Sequence, residues 1–255
     1  MSLGILMLTA IVLIPLEMKF EGWILFVAGV AITAYTDKTF RQDILLIYGS
    51  LGLLGITPIT TDISPLHMTE MGILLSLAVA IPYLISRFVY KEHTITFKFH
   101  HGRSWYKKEI GYIFFAAVVS YLAFPYLLRE TGSYMNWSVE LGAMNLFILF
   151  LGTNALGIWD ELFFVNTVLG LLRRHLPFQI ANLIQAVLFT AFLYELGFRG
   201  FMFPIIYIFA LLQGFVFKKT ESLFYIITIH LTVDLILYLV LIHLHHPELL
   251  KFFIT

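Results

Sequence analysis

Cysteine is absent from the 255 residues. That excludes disulfides, thiolate metal sites and cysteine nucleophiles together. Charge is nearly as scarce: Asp, Glu, Lys and Arg make up 13% of the chain, against about a quarter in an ordinary soluble domain. The basic and acidic residues, 16 of each, cancel, so nothing in the balance recruits a nucleic acid or another polyanion. No internal repeat, heptad run or low-complexity segment stands out, which speaks against a repeat-built carrier. Met1-Ser2-Leu3-Gly4 lacks the basic region and small-residue cleavage site of a secretory signal, so the first apolar run reads as a retained helix.

What remains is apolar. Hydrophobic residues are 60% of the chain and the mean hydropathy is +0.88. A water-soluble chain of this length has no interior large enough to hide that much apolar surface. The fold class is therefore all-α, a polytopic transmembrane helical bundle whose first partner is the lipid bilayer. A bilayer core of about 30 Å takes about 20 apolar residues per helix. The runs predict nine spans, at roughly 3–16, 23–36, 43–58, 71–87, 110–128, 140–172, 178–198, 200–217 and 222–243. The sixth is too long for one straight crossing, and Gly152-Thr153-Asn154-Ala155-Leu156-Gly157 is the expected break.

Basic residues orient the chain. With a cytoplasmic N-terminus, the inner loops hold Lys38, Arg41, Arg87, Lys91, Lys98, Arg103, Lys107, Lys108, Arg173, Arg174, Lys218 and Lys219; only Lys19, Arg129, Arg199 and Lys251 fall outside. The expected location is a multi-pass protein of the cell membrane. Organisation divides into N-terminal helices over 1–139, with a cytoplasmic loop at 88–109, and a core over 140–255. Within that loop Thr94-Ile95-Thr96-Phe97-Lys98-Phe99-His100 alternates like a strand. With His101-Gly102-Arg103 as a turn it would form a small interfacial hairpin. Its histidines have no helical spacing to fix them as metal ligands.

Ionisable residues deep in a bilayer are costly and are functional candidates by default. Glu161 lies about 18 Å from the inner face, and His230 and Asp234 lie about 12 and 18 Å into the last helix, at 1.5 Å per residue. Three groups from two helices thus reach one depth. Their shared depth predicts that the Glu161 carboxylate and the His230 ring lie within about 8 Å, a separation that one water can bridge. His230 and Asp234 are four apart and share a helix face, so the carboxylate can orient the imidazole. Glu161, among Trp159, Phe163 and Phe164, can act as general base on a water. His230 can donate to the oxyanion that forms on an attacked carbonyl. The bland alternative stands beside this one: Asp160 as a helix cap, Glu161 favourable in a first turn, and His230 and Asp234 as interhelical glue.

These residues resemble a family. From about residue 140 to 245 the chain is similar to the CPBP intramembrane proteases, which include type II CAAX prenyl endopeptidases and bacteriocin-immunity proteins of the Abi type. That family carries Glu-Glu-x-x-x-Arg, Phe-x-x-x-His and His-x-x-x-Asn/Asp on three helices. Here Asp160-Glu161-Leu162-Phe163-Phe164-Val165-Asn166 looks like the first motif, with Asp for the leading Glu and Val165 in place of Arg. His230 and Asp234 match the third. Phe189-Thr190-Ala191-Phe192-Leu193 has leucine where the second histidine belongs. Leu212-Gln213-Gly214-Phe215-Val216-Phe217-Lys218-Lys219 resembles the family's glycine-containing helix and basic turn. Tyr194-Glu195-Leu196-Gly197-Phe198-Arg199 also looks like the first motif. Glu195 could stand in for the absent histidine, or simply pair with Arg199.

The resemblance implies a membrane-embedded endopeptidase. Glu161 would activate water with help from Asp160, His230 with Asp234 would stabilise the oxyanion, and Glu195 is a further candidate. Its substrate would be a membrane-associated peptide or protein. No cofactor is expected. Zinc has weak support, because the second histidine is missing and no His-Glu-x-x-His occurs. Loss of the motif Arg and His leaves a second reading open: an inactive relative, a pseudoprotease that binds peptides, or a helical carrier.

Overall fold

The computed structural model describes residues 2–99 and 104–253. Among these described residues nine helices account for the nine apolar runs: α1 Ser2–Leu13, α2 Lys19–Thr33, α3 Lys38–Ile56, α4 Pro65–Leu84, α5 Lys107–Thr131, α6 beginning Ala143–Asp160, α7 Phe178–Glu195, α8 Met202–Thr220 and α9 Leu223–His245. Helix α6 continues through a π-helical stretch, Glu161–Val168, into a last α-helical turn, Leu169–Leu172. No strand forms among the described residues. The segment expected to alternate as a strand runs irregularly over 91–99, and the rest of the expected hairpin, His100 to Arg103, lies outside the described residues.

Six of the described helices are long and apolar enough to cross a membrane: α4 with its π-helical extension to Val89, α5, the whole of α6, α7, α8 and α9. The nine expected spans are thus reduced to six of crossing length. Helices α1 and α2, at 12 and 15 residues, are shorter than the roughly 20 a full crossing takes. The first two turns of α3 hold Lys38, Arg41 and Asp43. The chain is a multi-pass membrane protein. On α5, Phe114, Phe115, Leu122 and Tyr126 are all more than 60% exposed, the surface that acyl chains cover.

Contacts sort the connections into two ends. At the end rich in Lys and Arg, buried Asp43 of α3 accepts hydrogen bonds from Arg174 at 2.9 and 3.1 Å and from His175 at 2.7 Å. Arg174 also pairs with Glu92 after α4, and Lys98 pairs with Glu221 at 3.1 Å. At the opposite end Thr61 donates to the Asn136 carbonyl, Tyr134 packs on His245, and Glu17 faces Glu195. Successive helices therefore run in alternate directions.

Two details show how backbone groups are satisfied without water. Pro82, inside α4, has no N–H for the carbonyl of Ala78. The Ser50 hydroxyl of α3 donates to that carbonyl instead, at 2.8 Å. At the start of α9 the N–H groups of Leu223 and Phe224 have no helical partner. The carbonyls of Lys98 and Phe99 accept from them at 2.9 and 3.2 Å, so the long loop is tied to the helix that carries His230.

Candidate active site

Helices α6, α8 and α9 bring four polar side chains together in the apolar interior. His230 and Asp234 stand one turn apart on α9, and the Nε2 of His230 is 3.8 Å from the Asp234 Oδ1. The other ring nitrogen, Nδ1, donates to the Glu161 Oε1 of α6 at 2.7 Å. This contact is far tighter than the separation expected from shared depth. Gln213 of α8 completes the group. Its Nε2 donates to the same Glu161 oxygen at 2.6 Å and to the Ile226 carbonyl at 3.1 Å, which bridges all three helices. Phe189 and Phe209 hold the imidazole, with ring centroids 6.1 and 5.1 Å away.

Sequence reasoning missed Gln213 because it scored only ionisable groups by depth. The signal was present: a glutamine within the apolar run Phe209-Ala210-Leu211-Leu212-Gln213-Gly214-Phe215, fully buried in the fold. An amide there must find partners for the same reason a charge must.

The expected break at residues 152–157 is not where α6 departs from α-helical geometry. The helix is regular through Asp160 and widens only over Glu161–Val168. Gly157 serves close approach instead. A Cβ built on it would overlap the Asp234 Oδ2 and lie 3.1 Å from the His230 ring. Because no helix restarts after Gly157, Asp160 caps nothing. It is 1% exposed, and its Oδ1 has no hydrogen-bond partner among the described residues. The Glu161 Oε2 and Asp234 Oδ2 are likewise without partners.

A cavity of about 240 Å³ opens beside this cluster, between α5, α6, α8 and α9. Asp160, His230 and Asp234 line it amid apolar side chains. Glu161 is fully buried and is not part of the wall. The two neighbouring carboxyl groups thus occupy different positions: Glu161 behind the imidazole, Asp160 on the cavity face.

Two motif departures are also placed. Leu193, where the family histidine would be, lines the same cavity, and Val165, where the arginine would be, is fully buried. Glu195 does not join the cluster. Helix α7 ends at Glu195, and the turn through Gly197 follows, with φ at +93°. There Glu195 faces Glu17, with Arg199 and Lys19 nearby. The expected helical pair of Glu195 with Arg199 is also corrected: Arg199 lies beyond the helix end and stacks over the Tyr194 ring at 5.0 Å. Among the described residues no group of three or more His, Asp or Glu side chains is placed to hold a metal ion.

A helical membrane protein with a buried carboxylate–imidazole–carboxylate row beside an apolar cavity is the class that the fold and cluster define. Residues 142–236 match the family model described as type II CAAX prenyl endopeptidase Rce1-like. The match runs from the start of α6 into α9, two residues past Asp234. No curated protein and no solved structure matches the chain.

Proposed function

We propose that the chain is a membrane-embedded endopeptidase that hydrolyses membrane-associated peptides with a carboxylate-activated water. The observation that carries this reading is the placement of Asp160 and His230 on the cavity wall, with Glu161 behind the imidazole. Asp160 presents a carboxyl oxygen free of protein partners beside a cavity that a peptide bond can enter. It takes one proton from a water as the water oxygen bonds to the carbonyl carbon. Glu161 accepts from His230 and Gln213 and so fixes the imidazole. The other ring nitrogen, when protonated, donates to the oxyanion. As the C–N bond breaks, Asp160 returns its proton to the departing amine. Asp234 and Gly157 set the position of that nitrogen.

Purified protein in detergent, offered a library of membrane-anchored peptides, is expected to release fragments detectable by mass spectrometry. A library left intact under all detergents and lipids would reject the enzyme. One observation favours the second reading, a peptide-binding relative without activity: Leu193 and Val165 stand where the family has a histidine and an arginine. On that reading the same peptides bind but are not cut.

The twelve-to-four division of basic residues between the two ends supports a cytoplasmic N-terminus. Single cysteines placed at Lys98 and at Lys219 should react with an impermeant maleimide only after cells are opened. Labelling of intact cells would invert the orientation.

A further inference from the structure

The end rich in Lys and Arg holds a second cavity that the proposed reaction does not use. It measures about 350 Å³ and lies between the loop after α4, the last turns of α6 and the end of α8. Arg173, Arg174, Lys98, Thr96 and Asn166 line its wall, together with the Glu221 carboxylate that Lys98 holds at 3.1 Å.

The cations there are not equivalent. Arg174 is committed to Asp43 and Glu92, and Lys98 to Glu221. Arg173 has no carboxylate partner among the described residues. Its guanidinium lies 5.7 Å from the Phe178 ring centroid. The Lys218 ammonium sits 4.3 Å from that same centroid. Two cations this close to one aromatic ring repel each other, and an anion bound beside Arg173 offsets that repulsion. Asn166 supplies the second, independent observation. It is 4% exposed, lines this cavity, and its Nδ2 has no acceptor among the described residues. A buried amide nitrogen without an acceptor is costly, and a ligand oxygen in the cavity would be its acceptor.

We propose that this cavity binds the phosphate group of an anionic phospholipid from the adjacent leaflet. Arg173 makes the main charge-assisted contact, Lys218 adds its charge from beside the Phe178 ring, outside the cavity wall, and Asn166 donates from the wall. The location suits a headgroup. Arg173 directly follows the last turn of α6, and Lys218 lies in the last turn of α8. A phosphate at that level stays in the interface while its acyl chains remain among the helices. Basic pockets between transmembrane helices hold lipid headgroups in this way.

The test uses the full chain in neutral detergent. Its melting temperature is followed as dioleoylphosphatidylglycerol, dioleoylphosphatidylcholine or inorganic phosphate is added in separate arms. Phosphatidylglycerol is expected to raise the melting temperature saturably, and phosphatidylcholine is not. Arg173→Gln should weaken the apparent affinity by about tenfold or more, the effect of one lost charge-assisted hydrogen bond. Lys218→Gln should weaken it less. Both positions are exposed, so these variants fold even if Asn166→Leu does not. A rise with phosphatidylglycerol alone identifies the lipid as the ligand. An equal rise with inorganic phosphate alone would overturn the lipid assignment in favour of a free phosphate. Equal rises with both lipids, or an unchanged response in Arg173→Gln and Lys218→Gln, would overturn the site.

Discussion

Asp160→Asn is expected to reduce cleavage by about 10²–10⁴-fold, the factor that a general base supplies, while the protein still folds. Asparagine keeps the size of the side chain and a carbonyl oxygen, but cannot take a proton. A neutral amide costs no more to bury than a carboxyl group. Glu161→Gln gives the contrast. The carbonyl oxygen of the substituted amide can still accept from Gln213 and from the His230 Nδ1–H, so the imidazole stays where it is. What is lost is the charge assistance of two hydrogen bonds, and the expected effect is about tenfold. The pair of variants assigns the base. Cleavage that survives Asp160→Asn but falls about 10²-fold or more in Glu161→Gln would move water activation to Glu161.

Gly157→Ala should be the next most damaging single change. One methyl group would overlap the Asp234 Oδ2. Asp234 must then swing away or α9 must move, and the face of His230 shifts with it. Activity should drop strongly, since small misplacements at reacting groups are costly. Stability should fall by about 1–3 kcal/mol, as for other overpacked interiors. The double variant decides the cause. In an Asp234→Ala background, Gly157→Ala should have little further effect, because the atom it strikes is gone. Fully additive losses would show that the glycine matters for another reason.

These outcomes also show what a sequence can and cannot display. His230 and Asp234 were legible because four residues bring two side chains to one helix face regardless of tertiary context. Glu161 was legible because depth is a function of distance from the basic helix end. The all-α class followed from composition alone. Which of Asp160 and Glu161 faces the cavity was not legible. Adjacent residues point about 100° apart on a helix, and which one meets a cavity depends on where α5 and α8 pack. Glu195 misled for a related reason: its motif-like setting with Arg199 assumes a continuous helix, while Gly197 and Gly200 take positive φ values that end it. The short N-terminal helices passed as spans because an apolar run shows hydrophobicity but not where its helix stops.

The π-helical stretch in α6 has a geometric consequence for the whole bundle. Above it, the helix is phased by Gly157 against α9; below it, the chain leaving the helix is held by Arg174 against Asp43 of α3. Hydrogen bonds from i to i+5 each enclose one residue more than the α-helical bond and widen the turn, and the Thr167 hydroxyl donates to the Leu162 carbonyl there at 2.8 Å. The stretch therefore works as a gear change. It lets one continuous rod engage two sets of neighbours whose angular demands differ, so the chemistry at mid-membrane and the ionic clasp at the membrane surface can each adopt their own rotation.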